Sequence, residues 1–141
     1  MLYPMTQEPT DLAAATRAAE AEALAAAGTF GAILRGSPEF TALLAAENAL
    51  SADATANAAI EAFQSRQAEL RMELMMRVLT EAQRAELERL QQAMLAVPSV
   101  ASYVAATAAF QAVCRETAAV VSAQIGIDFA ANCRSGGGCC G

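Results

Sequence analysis

Three cysteines crowd the last ten residues, Asn132-Cys-Arg-Ser-Gly-Gly-Gly-Cys-Cys-Gly141. Thiolates are the soft ligands that zinc, copper(I) and iron–sulfur clusters take. The glycines between Cys133 and Cys139 let the backbone fold back so that several sulfurs can face one point. The spacing, Cys-x5-Cys-Cys, is neither a ferredoxin nor a zinc-ribbon pattern, and three sulfurs fall one short of a closed four-thiolate site. Two tails brought together would supply enough. Cys133, Cys139 and Cys140 are therefore the candidate ligands of a metal or cluster, weighed against a tail whose thiols are incidental. Cys114 lies about five helical turns earlier and reads as a small buried hydrophobe. The final residues do not fit a prenylation signal.

Little else in the chain offers reactive chemistry. There is no histidine, which removes His-based triads, the imidazole general base and the Glu-x-x-His di-iron sites of helical bundles. Acidic residues outnumber basic ones 15 to 9, for a net charge of −6, and every basic residue is arginine. That balance argues against direct contact with nucleic-acid phosphates and against anionic membranes. Glu61, Glu69, Glu73, Glu81, Glu86 and Glu88 mostly stand beside arginines or at helix starts, as solvated faces do. No catalytic residue is assigned, and the chain is expected not to be an enzyme. Met72, Met75 and Met76 read as adaptable packing at a dimer or partner surface.

The elements that must position the cysteines are helices. The longest uninterrupted run is expected from Pro98 to Phe129, with Val100, Val104, Phe110, Val113, Val120, Val121 and Ile125 in steps of mostly three and four. Alanine fills the gaps and lets neighbouring helices come close. Such a helix would be about 45–50 Å long, against a radius of gyration of about 14 Å for a compact chain of this size. It should overhang its own domain, and an obligate homodimer is the expected remedy.

Residues 1–9 read as a flexible lead-in. A first helix is expected from about Thr10 to Arg35, with Gly36 at its stop. Ser37-Pro38-Glu39 starts a second, buried through Phe40, Leu43, Leu44 and Leu50. Asp53 opens a third, to about Arg77, whose seam runs Ile60, Phe63, Gln67, Leu70 and Leu74 with Gln67 as a polar register mark. Thr80-Glu-Ala-Gln83 is a capping box for a fourth, to Ala96, with Leu87, Leu90, Met94 and Leu95 inward and Glu86 outward. The fold class is all-α: a five-helix antiparallel bundle in one domain over residues 1–141, dimer-forming, with a long C-terminal helix and a short flexible Cys-containing tail from residue 132. The opening residues lack a signal-peptide pattern, and no apolar run of spanning length free of charges is evident. A cytoplasmic chain with reduced cysteines is expected.

Ser37-Pro-Glu-Phe40, Leu43, Ala46, Asp53, Ile60, Phe63-Gln64 and Gln67, followed by Pro98-x-Val100-x-x-Tyr103, resemble the YlbF/YmcA family of small helical bacterial proteins over roughly Asp11 to Ile125. Where the family often has asparagine before the second proline, this chain has Val97. The resemblance implies a dimer-forming regulatory protein without catalysis of its own. Family members join a YlbF–YmcA–YaaT complex that steers RNA processing by RNase Y, and that complex is associated with iron–sulfur clusters. It further implies a hetero-complex with related family proteins, and a cluster near Cys133, Cys139 and Cys140. The rival expectation is a stand-alone thiol or metal protein, a metallochaperone or redox carrier working through the tail.

Overall fold

The computed structural model describes residues 9–135, with side chains over 12–132. Every regular element among them is helical: α1 (Pro9–Arg35), α2 (Pro38–Ala52), α3 (Ala54–Leu74), α4 (Glu81–Leu95), α5 (Pro98–Ile125) and α6 (Phe129–Ser135). The chain separates into two compact units, one holding α1 and the other α2 to α6.

α1 is 27 residues long, rich in alanine, the strongest helix former. It runs through Gly28 and Gly31 and stops where the sequence places the stop. The Gly36 amide donates to the carbonyls of Ala32 and Ile33 at 3.2 and 3.1 Å. Its large apolar side chains lie open, Leu24 at 69% and Ile33 at 66% exposure.

In the second unit α2 packs chiefly on α5, and α3 forms a hairpin with α4. Pro38 stands at the start of α2, where its missing amide hydrogen costs nothing. The covered side of α2 carries Phe40, Leu43, Ala46 and Leu50. The rings of Phe40 and Phe110 meet at 5.5 Å between centroids, tilted by 55°, a favoured aromatic geometry. Thr80 opens α4 with the expected capping box. Its hydroxyl accepts from the Gln83 amide at 3.2 Å, while its own amide donates to Gln83 Oε1 at 2.9 Å.

Asp53 does two jobs at once. Oδ1 accepts from the amides of Thr55 and Ala56 at 3.0 and 3.1 Å, capping α3. Oδ2 accepts the Ser99 hydroxyl at 2.6 Å, tying that cap to the first turn of α5.

Several expectations need correction. The terminal helix does not run unbroken to Phe129. It ends at Ile125, where Gly126 takes φ +73°, a left-handed cap that glycine adopts without strain. A sixth helix then carries the chain to Ser135, so residues 132–135 continue α6 rather than begin a tail. The seam of α3 is also rotated. Ile60, Phe63 and Leu70 are covered, but Gln67 is exposed and Leu74 is 56% exposed, because Arg66 and Glu73 turn inward to meet α4. Glu86, expected outward, is the residue that receives Arg66. α3 itself ends at Leu74, three residues before Arg77.

Among the described residues, the fully covered apolar ones in the second unit are only Ala56, Leu70 and Val100. Val104, Val120 and Ile125, expected in the core, are 49%, 62% and 52% exposed. Leu44 and Leu95 are likewise open at 45% and 40%. Length and composition alone would let α5 cross a membrane, but the helix is not free of charges. The adjacent charges Arg115 and Glu116 in its middle would be costly there.

Candidate functional site

The cysteine-bearing end is held by the joint between α5 and α6. The Gly126 amide donates to Ser122 O at 2.9 Å. The Ser122 hydroxyl donates to Ala118 O at 2.7 Å and accepts from the Phe129 amide at 3.0 Å. Asp128 starts α6 by accepting the Ala131 amide at 3.0 Å. These four bonds turn the chain and fix where α6 begins. Cys133 belongs to α6; its side chain, and all of Cys139 and Cys140, lie outside the described residues. Cys114 is a half-buried free thiol on α5. Among the described residues no three His, Cys, Asp or Glu side chains gather as a metal would need.

The α3–α4 hairpin is held by polar rungs between its apolar ones. Arg66 sends Nε and Nη2 to Glu86 Oε2 at 3.0 and 2.9 Å, and Nη1 to Glu69 at 2.8 Å. Those bonds, Glu69 first and Glu86 next, raise the Arg66 pKa above its usual value. Glu73 accepts from Gln83 Nε2 at 2.6 Å and Arg77 Nη2 at 3.0 Å. The Gln83 amide, then the Arg77 guanidinium, hold the Glu73 carboxyl below its usual range. Asp53 is lowered too, mainly by the Ser99 hydroxyl and then by the Ala56 amide. Each carboxylate is already occupied in holding helices together, so these shifts mark structure rather than acid–base chemistry.

What the structure leaves free is surface. At the tip of the hairpin Met72, Met75, Met76 and Val78 are 70%, 82%, 90% and 79% exposed. The methionines therefore do not pack within the chain, and their place is the outer surface that the sequence reading allowed. A groove of about 320 Å³ between α3 and α4 is lined by Gln64, Gln67, Arg71, Leu74 and Leu79, among others. An open groove of about 680 Å³ follows the end of α5, bounded by Ala119, Ala123, Gly126, Ile127 and Asp128. On the covered side of α5 the Thr107 hydroxyl is buried without a hydrogen-bond partner.

Sequence reasoning missed the inward pair Arg66–Glu86 and the Asp53–Ser99 bond. A signal for the first was present in the charge signs. Glu69 follows Arg66 by three residues, leaving a guanidinium able to serve a second carboxylate across the hairpin. The second had no local signal, since Ser99 lies 46 residues from Asp53.

No curated protein and no solved structure matches this chain. A family model does, over residues 23–126, described as control of competence regulator ComK, YlbF/YmcA. The match ends at Gly126, where α5 stops, so it covers the helices of the second unit up to the joint and leaves out Cys133, Cys139 and Cys140. With these helices present and most of the length matched, the chain belongs to the YlbF/YmcA family.

Proposed function

We propose that this chain is a non-catalytic regulatory adaptor that works as a homodimer in the cytoplasm, through protein–protein contacts. The supporting observation is the near absence of a core of its own. A unit with three fully covered residues and open Val104, Val120, Leu74 and Met75 has little apolar burial to offset its chain entropy. Association supplies that burial, as in obligate dimers, whose interfaces resemble a core cut in half. The family's description favours regulation, and related family proteins are the further partners of this reading. A net charge of −6 directs any effect on nucleic acid through a partner rather than direct contact.

The donor chemistry of Cys133, Cys139 and Cys140 suits an iron–sulfur cluster or another thiolate-bound metal. One tail offers three sulfurs and two tails offer six, so the homodimer removes the shortfall. A cluster bound there would supply redox sensitivity; the chain's own part is to supply the thiols, Cys133 from α6 and Cys139 and Cys140 from the residues that follow it in sequence.

Light scattering on the wild-type protein at micromolar concentration should give the mass of a dimer, and a monomer would overturn the adaptor dimer. Anaerobic purification should give visible absorbance and bound metal that the Cys133/Cys139/Cys140→Ser triple variant lacks. If that variant keeps dimer and partner binding unchanged, the tail is not the adaptor's switch. If the wild type instead hands its metal to an acceptor and no partner is found, the metallochaperone or redox-carrier reading takes over.

A further inference from the structure

The covered side of α5 carries Tyr103, Phe110, Cys114 and Thr117. At about 100° per residue, the opposite arc carries a seam of Ala105, Ala108, Ala112, Ala119 and Ala123, each within about 30° of its midline. All are exposed except the half-buried Ala112, and α6, which starts beside Ala119 and Ala123, does not cover them. Val104, 49% exposed, flanks the seam. Between Ala112 and Ala119 the spacing of three and four calls for one more alanine. There the chain has Arg115 about 50° to one side of the midline and Glu116 about 50° to the other. Both are exposed, and neither is in an ion pair among the described residues.

We propose that this face of α5 is where a second copy of the chain docks, parallel and in register, with Arg115 of each chain against the partner's Glu116. The inference rests on the homodimer reading above and names its surface and direction. A two-fold axis running along the seam turns the Arg115 side of one helix toward the Glu116 side of the other. Each guanidinium then meets a carboxylate, one residue further along the axis, twice per dimer. The seam residues meet their own copies, alanine on alanine, and side chains that small let the axes come within the roughly 8–10 Å of packed helices.

The charges select both direction and register. An antiparallel two-fold pair centred on them sets Arg115 beside the partner's Arg115 and Glu116 beside the partner's Glu116, like charge on like charge. A parallel copy slid by a heptad leaves Arg115 facing alanine. Only the parallel pair in register satisfies all four charges. Direction also decides where the thiols go. In the parallel pair both Gly126 joints lie at one end, so α6 and its Cys133 start from the same end in both chains. Cys139 and Cys140 follow Cys133 by six and seven residues, a reach of up to about 24 Å, so six sulfurs can gather. An antiparallel pair would hold the two joints about 30 Å apart along the helix axis.

Cysteine crosslinking reads the direction. Ala112→Cys and Ala119→Cys are each made alone in a background carrying Cys114→Ser, Cys133→Ser, Cys139→Ser and Cys140→Ser. Light scattering should show that background to be a dimer, and air oxidation should crosslink both variants, because each new thiol faces its own copy. In the antiparallel pair the two copies of either position lie about 10 Å apart along the axis, beyond the roughly 7 Å between Cα atoms that a disulfide spans. Arg115→Glu and Glu116→Arg are exposed changes and should leave the helix signal in circular dichroism intact. Each sets like charges together twice, so the dimer Kd from sedimentation equilibrium should rise by about 30-fold. The double variant Arg115→Glu/Glu116→Arg should recover wild-type dimerisation to within about threefold. A wild-type dimer indifferent to both reversals, or one that crosslinks at neither 112 nor 119, overturns this surface while leaving the homodimer standing. A cysteine-free background that is monomeric beside a dimeric wild type assigns the dimer to the thiols and overturns it too. A monomeric wild type overturns this inference together with the homodimer reading.

Discussion

Leu70 and Leu74 are one helical turn apart on α3 and chemically identical, yet the structure gives them opposite roles. Leu70 is 1% exposed and Leu74 is 56% exposed. Leu→Ala at a fully covered site costs about 2–5 kcal/mol, the spread reflecting how far the neighbourhood can close over the gap. Leu70 also borders the open groove between α3 and α4, so its surroundings can relax and the lower half applies, about 2.5 kcal/mol. With unfolding entropy near 2.1 cal/mol/K per residue, 141 residues give about 0.3 kcal/mol/K and a Tm loss of about 8 °C. With a urea slope of about 2 kcal/mol/M, the midpoint should fall by about 1.2 M. Leu74→Ala removes a side chain already mostly in water and should cost under about 1 kcal/mol, partly offset by alanine's better helix propensity. Both variants belong at one protein concentration, because association adds to apparent stability. Equal midpoint losses in the two would refute the rotated seam and return Leu74 to the face that α4 covers.

Gly126→Ala tests the joint. A Cβ there meets nothing within 4 Å, so the change should cost only the left-handed backbone penalty, about 1 kcal/mol, read as a urea midpoint shift. A neutral result would mean that α5 straightens into the continuous helix its periodicity suggests. Thr80→Ala removes the capping hydroxyl and should cost about 1 kcal/mol by the same measurement. Asp53→Asn should lower Tm at neutral pH, with a pH signature. The folded carboxyl titrates below its usual 3.8, so its stabilisation is present above that value and is lost as pH falls through the lower folded pKa. The Tm gap between wild type and Asp53→Asn should thus be full at about pH 6 and narrow as pH falls below the ordinary 3.8. A gap that widens on acidification would reverse the assignment. Phe110→Asp, at the ring contact with Phe40, should abolish folding. Val104→Asp should stay helical while weakening dimerisation, and loss of its circular dichroism signal would return Val104 to the core.

Helix starts were legible because their chemistry is local. Thr80 with Gln83, Asp53 ahead of Thr55, and the prolines at 38 and 98 each satisfy or dispense with amides a few residues away. The end of α5 was harder, because Ile127 and Phe129 carry the apolar spacing past Gly126. The pair that breaks it, a left-handed glycine and Asp128 capping the next helix, shows as a stop only when spacing is set aside. The seam of α3 slipped by one position because Arg66 faces inward for the sake of Glu86, on a different helix. A charged residue can be buried or solvated depending on a partner that no local window contains. Alanine caused the remaining error. It is so frequent on α5 that both faces read as apolar, and periodicity could not tell Phe110, which meets Phe40, from Val104, which meets water.

That same evenness has a functional side. A helix apolar all round either sits inside a protein or waits for a partner, and α5 has one side covered by its own chain and the other uncovered. The uncovered side is where Arg115 and Glu116 interrupt the alanine, which suits a surface that must stay soluble alone. The family match stops at the joint where α5 ends, so the association surface and the thiols fall on opposite sides of it. An aspartate at Val104, which is 49% exposed, can break the first without touching sulfur, and Cys→Ser changes can remove the second without touching α5. If cluster content falls when only Val104 is changed, the sulfurs of both chains must meet for the cluster to form. If it persists in a monomeric Val104→Asp variant, three thiolates and some other ligand suffice.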